Sequence, residues 1–243
     1  MKENSNAFKY LIRFGILRTF STVYGLIYIF MGILIPLLFY ISTFQSFSAS
    51  SLPSLGFLVF LFPIMLSLFS QIGSSGTAYL FSSDRANGVY EYLLASKTVK
   101  VSDIFMTYSI SAIVITSLIL GVNLAIFYGV DLIRSSSIPW DITEFVIIFT
   151  VPMSYFLTLI SILSMLTWAS LTKRYPGVNA PGGIGTIIGI IPVMVFLMLV
   201  IKYLWFQENI MFVGQIFSII LGIIFVVLTV TVIRLMSNER MLP

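Results

Sequence analysis

Charged residues fall in a few clusters along the chain, and the stretches between them are continuously apolar. No charge lies between Arg18 and Asp84, a gap of 65 residues, and further gaps run from Asp103 to Asp131 (27), Glu144 to Lys173 (28), Arg174 to Lys202 (27) and Glu208 to Arg234 (25). A helix needs about 20 apolar residues to cross the hydrocarbon core of a bilayer. Each of the four shorter gaps fits one span. The first fits two, broken in the polar stretch from Ser42 through Gln45, Ser48, Ser50 and Pro53 to Ser54. The pattern predicts six transmembrane spans, at roughly 22–42, 55–80, 104–130, 145–171, 184–204 and 210–233. The runs lack the alternation of barrel strands, so the spans are expected to be helices.

Composition narrows the class. Of 243 residues, 58% are hydrophobic and only 9% charged, against about 25% charged in soluble domains. That excludes a soluble enzyme, a nucleic-acid-binding module and a disordered chain. Cys and His are both absent, which removes thiol nucleophiles, Cys-ligated metals and the commonest general base. Lys and Arg set the orientation. An even number of spans puts both termini on one side, with Lys2, Lys9, Arg13, Arg18, Arg85, Lys97, Lys100, Lys173, Arg174, Arg234 and Arg240; the other side keeps only Arg134 and Lys202. By the positive-inside rule both termini are expected to be cytoplasmic in a multi-pass protein of the cell membrane. Ser48-Ala49-Ser50 resembles a signal-peptidase site, but the apolar run before it exceeds the 7–15 residues of a signal peptide, so no cleavage is expected.

The fold expected is an all-α membrane protein, one transmembrane domain over 1–243, in which six helices follow an amphipathic cytoplasmic interfacial helix at 4–20. In that first element Lys9, Arg13 and Arg18 alternate with Phe8, Leu11, Ile12, Phe14, Ile16 and Leu17. Lys9 and Arg13 are four apart and share a helical face, as in helices that lie along a leaflet with their basic side toward headgroups. The competing reading is that these charges only set topology.

Chemistry within the spans is sparse. No phosphate-binding loop of the Gly-x-x-x-x-Gly-Lys-Ser/Thr type occurs. Gly73-Ser74-Ser75-Gly76 has glycines but no Lys, and its position in the second span suits close helix packing. The predicted span interiors hold Gln71, Asn123, Gln215 and hydroxyls but no charge, whereas ion-coupled carriers usually keep ionisable groups there. Pro36, Pro63, Pro152 and Pro192 are expected to kink their spans. Gly185 and Gly189, and Gly214, Ser218 and Gly222, form small-residue faces for close helix contact, within one subunit or between two.

The longest charged stretch after the N-terminus is the segment 82–100, between the second and third spans. Ser82, Ser83 or Asp84 is placed to cap a helix start, and Val89, Tyr90, Leu93 and Leu94 follow at helical spacing. A short amphipathic helix is expected, able to dock in a groove on a soluble partner or to lean on the bilayer. This segment resembles the signature of ABC-2 type transporter permeases, the membrane subunits of ATP-binding-cassette exporters. The family pattern is an acid, a basic residue, Gly-Thr-x-Glu-x-Leu-Leu and Ser/Thr-Pro. Here it is matched at Arg85, Gly88, Glu91, Leu93, Leu94 and Ser96, with Asp84 for the usual Glu, Val89 for Thr and Lys97 for Pro.

The resemblance implies a permease subunit that forms the substrate path as a homo- or heterodimer and is driven by a separate ATPase subunit. That partner would bind ATP and Mg; no cofactor is expected in this chain, nor enzyme activity of its own, nor nucleic acid as a partner. Besides the second permease and the ATPase, the lipid bilayer is the expected partner. The resemblance makes Asp84–Ser96 the coupling helix, with Arg85 and Glu91 in polar contact with the ATPase, Leu93 and Leu94 as anchors, and Asp84, Gly88 and Ser96 as further positions of the coupling motif. The loop 173–183 matches less well and reads equally as a connector or a second contact. The alternative is an ion-coupled secondary carrier or a channel-like protein, against which the uncharged spans argue.

Overall fold

The structure is a computed structural model of the chain; it describes residues 2–46, 52–95, 99–134, 147, 149–161, 191, 195, 198 and 209–235. Every element among these residues is helical. The helices are α1 (Lys2–Ser21), α2 (Val23–Ser46), α3 (Leu52–Ala86), α4 (Val89–Ala95), α5 (Val101–Arg134), α6 (Phe149–Ser161) and α7 (Ile210–Leu235). Helices thus stand at the expected segments 4–20, 22–42, 55–80, 104–130 and 210–233, each extending slightly beyond them. The described part of 145–171 is also helical. The loop 173–183, the pair Gly185 and Gly189, and all of 184–204 except three single positions lie outside the described residues.

Local chemistry sets the helix boundaries. Between α1 and α2 the axis turns by 76°. Thr22 makes that corner: its Oγ1 accepts the backbone N–H of Gly25 at 3.3 Å and donates to the Thr19 carbonyl at 3.3 Å. It is therefore the N-cap of α2, occupying a donor that the first turn leaves open. α5 starts on a related device. Asp103, three residues into the helix, reaches back so that its Oδ2 accepts the Lys100 N–H at 2.8 Å, the returning half of a capping box.

α2, α3 and α5 pack on one another, and α1 lies across α5 and the start of α2. Ile29 of α2 meets Ile115 and Ile119 of α5, with Phe20 and Ile33 at the edge. Ile64 of α3, Phe149, Met153 and Phe156 of α6 and Leu221 of α7 form a second core. Polar seams join the same helices. Thr116 and Thr158 share a hydrogen bond of 2.9 Å, Asn123 Nδ2 donates to the Gly32 carbonyl at 3.0 Å, and Ser67 donates to the Thr150 carbonyl at 3.4 Å. Asn123, singled out in the sequence as an intramembrane polar residue, is thus a bond between α5 and α2. α2 and α3 approach so closely that a Cβ on Gly76 would lie 3.0 Å from the Gly25 Cα, in keeping with the packing role read from the Gly73–Gly76 stretch.

Among the described residues, α5 is long and apolar enough over Val101–Gly129 to cross a membrane; Lys9–Ser21 with Val23–Leu38 would be a second candidate only if that bent pair were one span. The outer faces are apolar as well. Val23, Ile27 and Phe30 of α2 and Phe212, Ile219, Ile223 and Val227 of α7 are all exposed.

The α2–α3 crossing yields the first prediction. Gly76→Leu forces atoms into backbone and is expected to cost about 1–3 kcal/mol, with Gly76→Ala costing less. Gly121→Leu, where a Cβ meets nothing within 4 Å, serves as the matched control and should be near neutral. Thermal unfolding in detergent measures all three; equal midpoints for Gly76→Leu and Gly121→Leu would contradict the crossing.

Candidate functional site

Asp84 lies on the last turn of α3 and is only 1% exposed. One carboxylate oxygen pairs with the guanidinium of Arg18 from α1; the other accepts the hydroxyl of Tyr108 from α5. A single carboxylate therefore ties three helices together. Arg18 stays 26% exposed, and its guanidinium sits 5.4 Å from the ring centroid of Phe14. That contact adds a cation–π attraction on the α1 side of the pair.

α4 is fastened to the same point. The Tyr90 hydroxyl is buried and donates to the Phe81 carbonyl of α3 at 2.9 Å. The rings of Phe81, Tyr90 and Tyr108 pack at centroid distances of 5.3 Å, 5.1 Å and 6.2 Å, the last two edge-on, the arrangement ring quadrupoles favour. Leu80, Val99, Val101, Ile104 and Phe105 complete this core, with Leu11, Val89, Leu93 and Leu94 against its edge.

The join between α3 and α4 is a tight turn at Asn87-Gly88. Gly88 has φ +71°, a left-handed value that only glycine adopts without cost. Its N–H donates to the Arg85 carbonyl at 3.1 Å, closing α3, and its own carbonyl accepts the Glu91 N–H at 3.1 Å, opening α4. This corrects one expectation. Ser82, Ser83 and Asp84 do not cap a new helix; α3 runs through them to Ala86, and α4 starts at Val89. The burial of Asp84 explains the difference, because its side chain is turned inward to Arg18 and Tyr108 rather than back to the α4 backbone.

Burial governs the electrostatics here. It raises the Asp84 pKa above the ordinary carboxylate value, while the Tyr108 hydrogen bond and the Arg18 charge pull it back down. Burial likewise lowers Arg85 and raises Tyr90, as expected when the charged form of each is desolvated.

The remaining residues divide by face. Glu91 and Tyr92 point to solvent, Tyr92 being 82% exposed. Arg85 is half-buried, and its Nε has no hydrogen-bond partner. Leu93 and Leu94, expected as anchors for a partner, are half-buried against their own chain. The stripe Val89-Tyr90-Leu93-Leu94 faces the core of α3 and α5, with Tyr90 fully buried and the other three at its edge. Ser96 lies outside the described residues. A cleft of about 470 Å³ runs between α1, α4 and α5, lined by Tyr10, Phe14, Val89, Leu93 and Thr107 among others. Arg18 and Tyr108 were not distinguishable as site residues in the sequence. Arg18 reads as a topology charge, and Tyr108 lies 24 residues from Asp84.

A double-mutant cycle tests the clasp. Arg18→Ala and Asp84→Ala each strand a partner and are each expected to destabilise the chain by about 1.5–3 kcal/mol. The double variant should cost less than their sum by about 0.5–3 kcal/mol. Additive losses in chemical or thermal unfolding would show that the two side chains do not act as a pair.

Comparison of the chain with protein-family models, with curated proteins and with solved structures returns no match, so the geometry of the Asp84 cluster carries the functional argument.

Proposed function

We propose that the chain is the permease subunit of an ABC exporter of the ABC-2 type. In this reading six helices cross the membrane, both termini are cytoplasmic, and two permease subunits form a path driven by separate ATPase subunits that hold ATP and Mg. The observation that carries it is the mounting of α4. A short helix with Glu91 and Tyr92 outward is fixed by Tyr90 and the Asp84 clasp to α3 and α5. A partner pressing on α4 therefore presses on two helices that run into the membrane.

The near-perpendicular entry of α1 into α2 supports the same topology. If α2 crosses the bilayer, α1 lies along its cytoplasmic face, beside the basic residues that the positive-inside rule places there. The exposed apolar faces of α2 and α7 suit contact with lipid better than with water. The partner surface shifts from the expected Leu93 and Leu94 to Glu91, Tyr92 and the half-buried cation of Arg85. Tyr is among the residues that most often dominate a protein interface, and a charge-assisted bond to Glu91 adds specificity.

Two predictions follow from this arrangement. The chain has no native Cys, so Ala95→Cys on exposed α4 gives a single labelling site. An impermeant thiol reagent should miss it in intact cells and label it in inverted membranes; labelling from outside would overturn the topology.

The second concerns coupling. Tagged chain purified in mild detergent is expected to bring down ATP-binding-cassette ATPase subunits, with ATP hydrolysis in the complex and none in the chain alone. Tyr92→Ala should cost about 1–2 kcal/mol of that association, roughly a 5–30-fold loss. Glu91→Gln keeps the shape and is expected to spare assembly while lowering substrate-stimulated hydrolysis. Wild-type behaviour of both variants at normal expression would sink the coupling role of α4.

A further inference from the structure

On the face of α1 turned away from α5, Lys9 and Arg13 border a cleft of about 320 Å³ whose other walls are Ile12, Ile16 and Leu17. Both cations are exposed, and neither pairs with an acid among the described side chains. Two like charges one turn apart repel each other, so the helix carries a positive charge that nothing in the described fold neutralises. The cleft is also polarised along the helix. Its cations lie toward the N-terminal end, and its aliphatic residues run toward Ser21, where the chain turns by 76° into α2.

We propose that this cleft binds one anionic phospholipid, its phosphate between Lys9 and Arg13 and an acyl segment along Ile12, Ile16 and Leu17. The inference rests on the reading that α2 enters the membrane, which lays α1 along the headgroup layer, with Lys9 and Arg13 at phosphate level and Ile12, Ile16 and Leu17 within reach of the first acyl carbons. The stretch from Lys9 to Leu17 covers about 12 Å along a helix axis, room in the membrane plane for a single lipid. The volume lies at the lower end of ligand clefts, about 300–1,000 Å³, which suits a chain segment and not a bulky headgroup. A free phosphate would satisfy the cations but leave the aliphatic walls in water, and a zwitterionic lipid would satisfy the walls but not the charge. An anionic phospholipid meets both demands.

The test uses the full chain in detergent, titrated with short-chain phosphatidylglycerol, short-chain phosphatidylcholine and inorganic phosphate, with bound lipid counted by native mass spectrometry. At about five-fold per basic residue near an anionic headgroup, the chain should prefer phosphatidylglycerol over phosphatidylcholine by about 30-fold. Lys9→Gln with Arg13→Gln should bring the two lipids level without weakening phosphatidylcholine. Ile12→Ser with Ile16→Ser should weaken both lipids alike. Circular dichroism checks that each variant keeps its helix content, and a more conservative Arg13→Gln alone should still lose about five-fold of the preference. Equal binding of the two lipids by the wild type overturns the proposal. So does a preference that survives Lys9→Gln with Arg13→Gln, or displacement of phosphatidylglycerol by equimolar phosphate. Loss of co-purifying ATPase subunits in that variant, with the lipid preference intact, would assign the face to a protein and also overturn it. Thiol labelling at Ala95→Cys separates the two levels: cytoplasmic labelling without lipid preference removes this inference alone, whereas labelling from outside removes the membrane topology on which it rests.

Discussion

A carboxylate with almost no access to water sits where three helices meet, and this end of the helix bundle is organised around it. Burying an unpaired charge costs several kcal/mol, so Asp84 is tolerable there only with its partners in place. Arg18 comes from α1 and Tyr108 from α5. If either helix moves away, the carboxylate must lose a compensating bond or take up a proton, and burial already biases it toward the protonated form. The positions of α1, α3 and α5 are thus mutually conditional. A junction of that kind favours discrete arrangements over gradual deformation, because intermediate geometries leave the charge exposed to a low-dielectric interior without its partners.

The rest of the bundle is held by weaker and more distributed means. If the bundle lies in lipid as proposed, apolar contact gains little over lipid contact, and close approach and interhelical hydrogen bonds decide the arrangement. The structure uses both. Gly25 and Gly76 bring α2 and α3 into backbone contact, while Thr116 with Thr158 and Asn123 with the Gly32 carbonyl bridge α5 to α6 and α2. Such bonds average about 0.6 kcal/mol apiece in one well-measured membrane protein. None is strong alone, whereas the Asp84 junction ties the ends of α1, α3 and α5 together at one point.

The helices were legible because their signal is composition over long distances. Uncharged runs of 25 residues or more define elements whatever their neighbours do. The packing role of Gly76 was legible too, since a small residue in an apolar helix has few other uses. The site was only half legible. The segment around Gly88 could be found by pattern, and Asn-Gly is a turn signal in its own right, but no local signal showed that α3 would run on to Ala86. The faces of α4 were the harder problem. Periodicity shows that Val89, Tyr90, Leu93 and Leu94 share a side; it does not say what covers that side. Contacts from other parts of the chain decided it, with Leu11 arriving from α1, Ile104 from α5 and Val99 from the stretch just before α5. Arg18 and Asp84 are separated by the longest uncharged run in the chain, so no local pattern links them.

The placement of two tyrosines would let so short a helix serve as a lever in the proposed reading. Isolated helices shorter than about 12–15 residues are marginal in water, and α4 has 7. It persists because Tyr90 is inserted into the junction while Gly88 fixes the angle at which the chain leaves α3. Tyr92, two residues on, falls on nearly the opposite face of the helix and stands clear of the protein. Under the proposed reading, a displacement delivered to Tyr92 has no flexible segment in which to dissipate before it reaches Tyr90. From there it meets the Phe81 carbonyl on α3 and the Tyr108 ring on α5, and through Tyr108 it meets Asp84. A longer, self-sufficient helix could rock on its own contacts. A helix that exists only through its insertion must move with the elements that hold it.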